Sequence, residues 1–147
     1  MPCREEETSV FWIETDQELA DAVASWDNCV GLDTEFIRTD TFYPIPGLYQ
    51  VASADQVFLI DPLTIEDWQP FSTFLMDPKT LIVMHACQED LEMLNHHLKV
   101  QPTSVVDTQF AHAFTGVDYS LSYANLVRRT IGVEPVSYTH LTLPTNA

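Results

Sequence analysis

At 147 residues and 46% hydrophobic content, the chain is long enough for one domain with a real core and too short to expect two. No stretch approaches the roughly 18 uninterrupted apolar residues of a membrane span, and Arg4 followed by Glu5, Glu6 and Glu7 is no secretory leader, so a soluble cytoplasmic protein is expected. Six basic residues against 22 acidic ones, a formal charge of -16, weigh against a polyanionic partner, unless acidic clusters hold divalent cations or basic surface lies outside this chain.

Past the acidic leader, Leu19, Ala20, Val23 and Trp26 recur at helical spacing, which predicts a helix over 16–26 with Thr15 or Asp16 as its N-cap. Three strands are predicted next, at 29–36, 48–52 and 56–61. Ser53-Ala54-Asp55 is short enough to join the last two as an antiparallel hairpin, whereas Pro44, Pro46 and Gly47 mark a wider loop. Apolar residues from Ile65 to Met76 predict a helix that Asp77-Pro78 ends. Leu81-Ile82-Val83-Met84 is a continuous run of the kind found in strands covered on both faces, and Leu91, Leu94 and Leu98 set a helix over 88–98. A short strand at Val105-Val106 and helices over 108–114 and 121–131 follow. The order predicts a mixed α/β sheet with helices around it. Residues 136–147 show neither helical periodicity nor a partner strand, and are expected to be a non-native tail on a domain covering 1–135.

Asp33 and Glu35 stand two apart on a predicted strand, so both carboxylates leave the same face. Flanked by Leu32 and Phe36, they cost several kcal/mol in desolvation unless paired or metal-bound; a divalent-cation site and the wet face of an edge strand both remain open. His85 ends the apolar strand at 81–84, and Asp90 lies early in the helix after it, near the sheet edge where open α/β folds place their sites. Asp107 follows the last strand and reads as a cap on the helix from Thr108. Cys3, Cys29 and Cys87 are odd in number and form no Cys-x-x-Cys, so neither a disulfide framework nor a zinc site is expected.

Taken together, Asp33-Thr34-Glu35-Phe36, Tyr43-Pro44, Gly47-Leu48-Tyr49-Gln50, Leu59-Ile60-Asp61-Pro62, His85 through Leu91 and Asp107-Thr108-Gln109 resemble the ribonuclease D family in order and spacing, over about Asp27 to Glu134. The resemblance implies a ribonuclease H-like fold of the DEDD exonucleases, a mixed sheet flanked by helices and incomplete at the C-terminus. It also implies 3′-5′ trimming of RNA by two Mg²⁺ or Mn²⁺ ions held roughly 3.5–4 Å apart. On that analogy Asp33 bridges both ions, Glu35 binds the ion that carries the attacking water, and Asp90 serves the second. The implied partner is RNA with a free 3′ end, with no membrane and no protein partner.

Arg38, Tyr43, Gln50 and His85 are the candidate substrate contacts, with Phe42 beside Tyr43 as a further base-stacking ring. His96-His97 reads as a solvated helix end and Arg128-Arg129 as a wet helix face. The family's third motif, Tyr-x-x-x-Asp, has no counterpart: neither Tyr119 nor Tyr123 is followed by Asp at the fourth position. The 147-residue chain is therefore expected to be nearly inactive. Two other readings stand beside an exoribonuclease: a non-catalytic nucleic-acid-binding domain and a DNA-directed exonuclease of the same superfamily.

Overall fold

A computed structural model describes residues 8–38, 40 and 42–135; the expected non-native tail, 136–147, lies outside them. The chain divides into two compact units, residues 1–108 and 109–147.

The first unit holds a six-stranded sheet made of β1 (Ser9–Ile13), β2 (Cys29–Ile37), β3 (Ile45–Ser53), β4 (Gln56–Ile60), β5 (Leu81–Met84) and β6 (Val105–Asp107), in the spatial order β1-β4-β3-β2-β5-β6. Strand β3 runs antiparallel to both neighbours, and every other pairing is parallel. Helices α1 (Asp16–Ser25), α2 (Gln69–Met76) and α3 (Gln88–Leu98) complete the unit. One core joins them: Val30, Leu32, Val51, Ile60, Ile82 and Met84 from alternate strand positions pack with Leu19 of α1, Phe71 of α2 and Leu94 of α3. The helices thus serve one face of the sheet. The opposite face carries Gly31, Asp33 and Glu35 on β2, and its apolar residues Val10, Trp12, Leu81 and Val106 are exposed.

Three sequence expectations change. The segment Ser9–Ile13 is a strand, not leader: it pairs in parallel with β4 from Ser9↔Gln56 to Ile13↔Ile60, and only that distant partner reveals it. The second helix starts at Gln69 rather than Ile65. Asp16 accepts from the amides of Glu66 and Asp67, and Asp67 accepts from the amide of Gln69 two residues on, a local turn that competes with helix. Pro70 then fits the first helical turn, where its missing donor costs nothing. Strand β5 is covered well on one face only, with Ile82 and Met84 buried and Leu81 exposed. In contrast, α1 has its expected cap. The Thr15 hydroxyl accepts from the Glu18 amide (3.2 Å) while the Glu18 carboxylate accepts from the Thr15 amide (3.1 Å), a reciprocal capping box.

The second unit contains the rest of α4 (Thr108–Ala113) and α5 (Tyr123–Ile131), the latter capped by Ser122 and closed by left-handed Gly132. Arg128 pairs with Glu134 and Arg129 with Asp118, all four side chains well exposed, as a wet helix face should be.

Candidate active site

Strand β2 outruns its neighbour. It pairs with β3 from Gly31 to Ile37 but with β5 only from Cys29 to Gly31, so the stretch from Leu32 onward lies beside the gap where β5 stops. Into that gap comes the first turn of α3, carrying Asp90. The strand alternation puts Asp33 and Glu35 on the exposed face and turns Thr34 inward, where its hydroxyl donates to the Asp90 carboxylate in a short buried hydrogen bond. Asp90 is 8% exposed. One threonine between two carboxylates thus ties the third to the same strand.

A bulge lies at the end of this stretch: Glu35 faces Leu48, and the next pair is Phe36 with Pro46. The skipped residue is Gly47, and a Cβ there would come within 3.3 Å of the Glu35 carbonyl oxygen. Glycine lets the two backbones close up beside Glu35, and such a bulge re-aims the side chain next to it. Across from Asp33 stands Gln50, half-buried, in a row that runs Trp12, Leu59, Gln50, Asp33 over the sheet.

The corner between β5 and α3 is held from β6. Asp107 accepts from the amide of Ala86 (2.9 Å) with one carboxylate oxygen and from that of Cys87 (3.0 Å) with the other. Ala86 has φ of 52°, a left-handed conformation that costs a residue with a Cβ roughly 1–2 kcal/mol unless its surroundings hold it. Asp107 thus holds the two amides that lead into the helix carrying Asp90, a contact across the sheet that its place before α4 did not announce. Next to it, the Thr108 hydroxyl donates to the Met84 carbonyl (3.1 Å), so it accepts from Nδ1 of His85 (2.9 Å), which makes Nδ1 the protonated nitrogen of that ring. Burial and the Asp107 carboxylate push the Cys87 thiol up to about 11, which leaves it an inert filler of the corner.

The electrostatics suit a cation. Desolvation first, then the charges of Asp33 and Asp90, raise the carboxyl of Glu35 above the usual range. Desolvation and the charge of Asp33 raise Asp90 as well, against the lowering effect of the Thr34 hydroxyl. Three carboxylates that repel one another, with no basic partner among the described residues, are a set of hard oxygen donors that suits a divalent ion. They do not yet converge: among the described residues no group of three or more His, Cys, Asp or Glu is drawn together tightly enough to hold a metal.

The remaining candidates lie apart. Arg38 donates to Glu92 (2.8 Å) and stands 3.8 Å from Glu89, tying the end of β2 to α3. Tyr43 stacks on His96, their ring centroids 3.9 Å apart and planes within 8°. The solvated helix end expected for His96-His97 is therefore corrected, since Nδ1 of His97 also meets the buried Tyr49 hydroxyl at 2.7 Å. Thr34 and His96 were not among the sequence candidates, and Asp107 was read only as a cap and as part of a family motif; the position of Thr34 between two carboxylates was the signal for its role.

A family model described as 3′-5′ exonuclease matches residues 10–142, beyond both ends of the stretch over which the motifs align. The chain belongs to the ribonuclease D family of 3′-5′ exonucleases. Ribonuclease D of Pseudomonas paraeruginosa is 42% identical over 127 residues, 85% of this chain and 34% of that protein. Among solved structures, Escherichia coli RNase D, described as an exoribonuclease involved in structured RNA processing, superposes with a TM-score of 0.78 at 38% identity, covering 85% of this chain and 34% of that one. A complex of Trypanosoma brucei RNase D with RNA U12 gives 0.77 at 25% identity over 86% of this chain and 48% of that one. The chain thus spans about a third of the length of the curated relatives it matches. The ribonuclease H-like mixed sheet is the fold of these ribonuclease D structures, and the exonuclease family is dependent on divalent metal.

Proposed function

We propose that this chain is the partial catalytic domain, over residues 1–135, of a cytoplasmic 3′-5′ exoribonuclease, with Asp33, Glu35 and Asp90 as its catalytic carboxylates. The observation that carries this reading is the Thr34 to Asp90 hydrogen bond, which ties a helix carboxylate to the strand bearing the other two. In the complete enzyme these three would hold two Mg²⁺ or Mn²⁺ ions, which supply charge neutralisation at the scissile phosphate and a water acidic enough to attack it. The chain's own residues do the rest. Gln50, beside Asp33, offers its amide to the 3′-terminal nucleotide, and His85 orients substrate at the end of β5. Arg38 meets a phosphate only by giving up Glu92.

In-line hydrolysis at the last phosphodiester releases a nucleoside monophosphate from RNA with a free 3′ end. Because the sequence lacks Tyr-x-x-x-Asp, trimming by the 147-residue chain should fall on the order of a hundredfold or more below a family member that has it. The test uses matched 5′-labelled RNA and DNA oligonucleotides with the chain and with a version extended by the family's third motif. Stepwise, Mg²⁺-dependent shortening of RNA by the extended version, lost on Asp33→Asn, is expected. Faster shortening of DNA would reassign it as a DNA-directed exonuclease. The alternative is a domain that binds nucleic acid without cleaving it. Its mark is RNA binding indifferent to divalent ions, with no cleavage by either version.

A further inference from the structure

We propose that the cleft between the β2–β3 loop and the last turn of α3 binds an unpaired base of the RNA strand together with its phosphate, a site separate from the carboxylates. This rests on the exoribonuclease reading for the identity of the strand, though its binding chemistry does not depend on cleavage.

The cleft is open, about 670 Å³ in volume, and Phe42, Tyr43, Ile45, His96, His97 and Lys99 line it. That size suits a small planar ligand. Its chemistry contrasts with the rest of the chain. In a protein with 22 acidic residues and six basic ones, no carboxylate is among the described residues lining this surface, while Lys99 brings a cation to it. A phosphate approaching an otherwise acidic domain meets here the charge that complements it.

The aromatic half is arranged as a platform. Tyr43 lies parallel on His96, and Phe42 stands edge-on to Tyr43 with centroids 4.8 Å apart and planes at 82°. Phe42 is 85% exposed, so its ring is not there to fill the core. Exposed rings beside a cation are what sequence-tolerant binders of single strands use, because every base has a flat face to stack. The support is firm, since the His97 ring that lines the cleft is held through Nδ1 by the buried Tyr49 hydroxyl. Lys99 donates to the His96 carbonyl (2.7 Å) from a left-handed cap position, which sets its ammonium at the mouth.

The position suits a strand whose 3′ end is at the carboxylates. Strand β2 carries Asp33 and Glu35 and runs directly into the loop with Phe42 and Tyr43. Helix α3 carries Asp90 in its first turn and His96 six residues later, about 9 Å along the axis. Both elements that build the active site end at this cleft.

The test is binding of a single-stranded RNA 12-mer containing 2-aminopurine to the full 147-residue chain in EDTA, with the same oligonucleotide as DNA alongside. Quenching of the fluorophore is expected with both sugars, since stacking does not read the 2′-hydroxyl. Phe42→Ala should weaken binding about tenfold and Phe42→Trp should restore it. Lys99→Gln should weaken binding and make its salt dependence shallower by roughly one ion. Circular dichroism confirms that these exposed-site variants fold. Affinity unchanged by both Phe42→Ala and Lys99→Gln, or no binding by the native chain, overturns the proposal. So does competition by an unrelated apolar peptide with no competition by unlabelled RNA. The exoribonuclease reading fails separately: Asp33→Asn with Glu35→Gln abolishes Mn²⁺ binding if that reading is right, and should leave RNA binding in EDTA intact.

Discussion

At Asp90, a carboxylate that is 8% exposed sits within the field of Asp33 and is held by the Thr34 hydroxyl together with the backbone amides of Asp90 and Thr34. If the carboxylates hold metal as proposed, their mutual repulsion in the empty protein costs stability. Asp90→Asn keeps an acceptor for Thr34 while removing the charge, so at neutral pH in EDTA it should raise stability by about 1 kcal/mol, or roughly 2–4 °C in Tm. The same variant should lose Mn²⁺-induced stabilisation in differential scanning calorimetry. A lower Tm in EDTA would mean that Asp90 is structural. His97 offers a pH test at a site free of candidate metal ligands. Burial, then the charges of His96 and Lys99, hold its pKa below the ordinary value, and the groups facing it are Tyr49, Trp68, His96 and Lys99. A lowered value means that the folded state resists protonation. Its contribution to stability is therefore present above the ordinary histidine value of about 6.5 and is lost as pH falls through it. The expected result is a shallower fall in Tm between roughly pH 7 and 5 in His97→Gln than in the native chain; parallel curves would remove His97 from the account.

Between elements, the joint that matters is the β5–α3 corner. Its amides at Ala86 and Cys87 end on Asp107 of β6, so β6 positions Asp90 without touching it. Asp107→Asn leaves one acceptor for two donors. Hydrogen exchange at those two amides should accelerate, and Mn²⁺ affinity at the carboxylates should fall by about 10–100-fold, as for other groups that orient a metal ligand. Exchange that accelerates while affinity stays put would limit Asp107 to a structural role. How much of this was legible in the sequence depends on how local each cause is. Helix α3 was readable because Leu91, Leu94 and Leu98 repeat on one side. The pair Asp33 and Glu35 was readable from strand alternation alone. By contrast, β1 has no alternation to see and becomes a strand only through β4. Ile65 looked helical and is buried, yet the Asp67 turn postpones the helix. Asp107 precedes a helix, which hid the fact that its amides are 20 and 21 residues back.

For the whole molecule, a formal charge of -16 makes the chain self-repelling, and under the proposed function a divalent cation held by Asp33, Glu35 and Asp90 would relieve part of that repulsion. Titrating Mg²⁺ into the EDTA-treated chain should raise Tm in a saturable way, by about 2.7 kcal/mol of stability at a concentration one hundred times Kd. Sodium chloride at matched ionic strength controls for screening, and an equal rise with sodium would show no specific site. Among the described residues no helix is long and apolar enough to cross a membrane.

The clamp from β6 also imposes an order in time. The bond between Thr34 and Asp90 spans 56 residues of chain, and the bonds that hold the α3 corner reach forward to Asp107. No hairpin or helix that forms early contains a workable fragment of the site. During synthesis from the N-terminus, the hairpin of β3 and β4 can pair long before Asp107 has left the ribosome. The contacts that surround Asp90 are consequently complete only once β6 has been made.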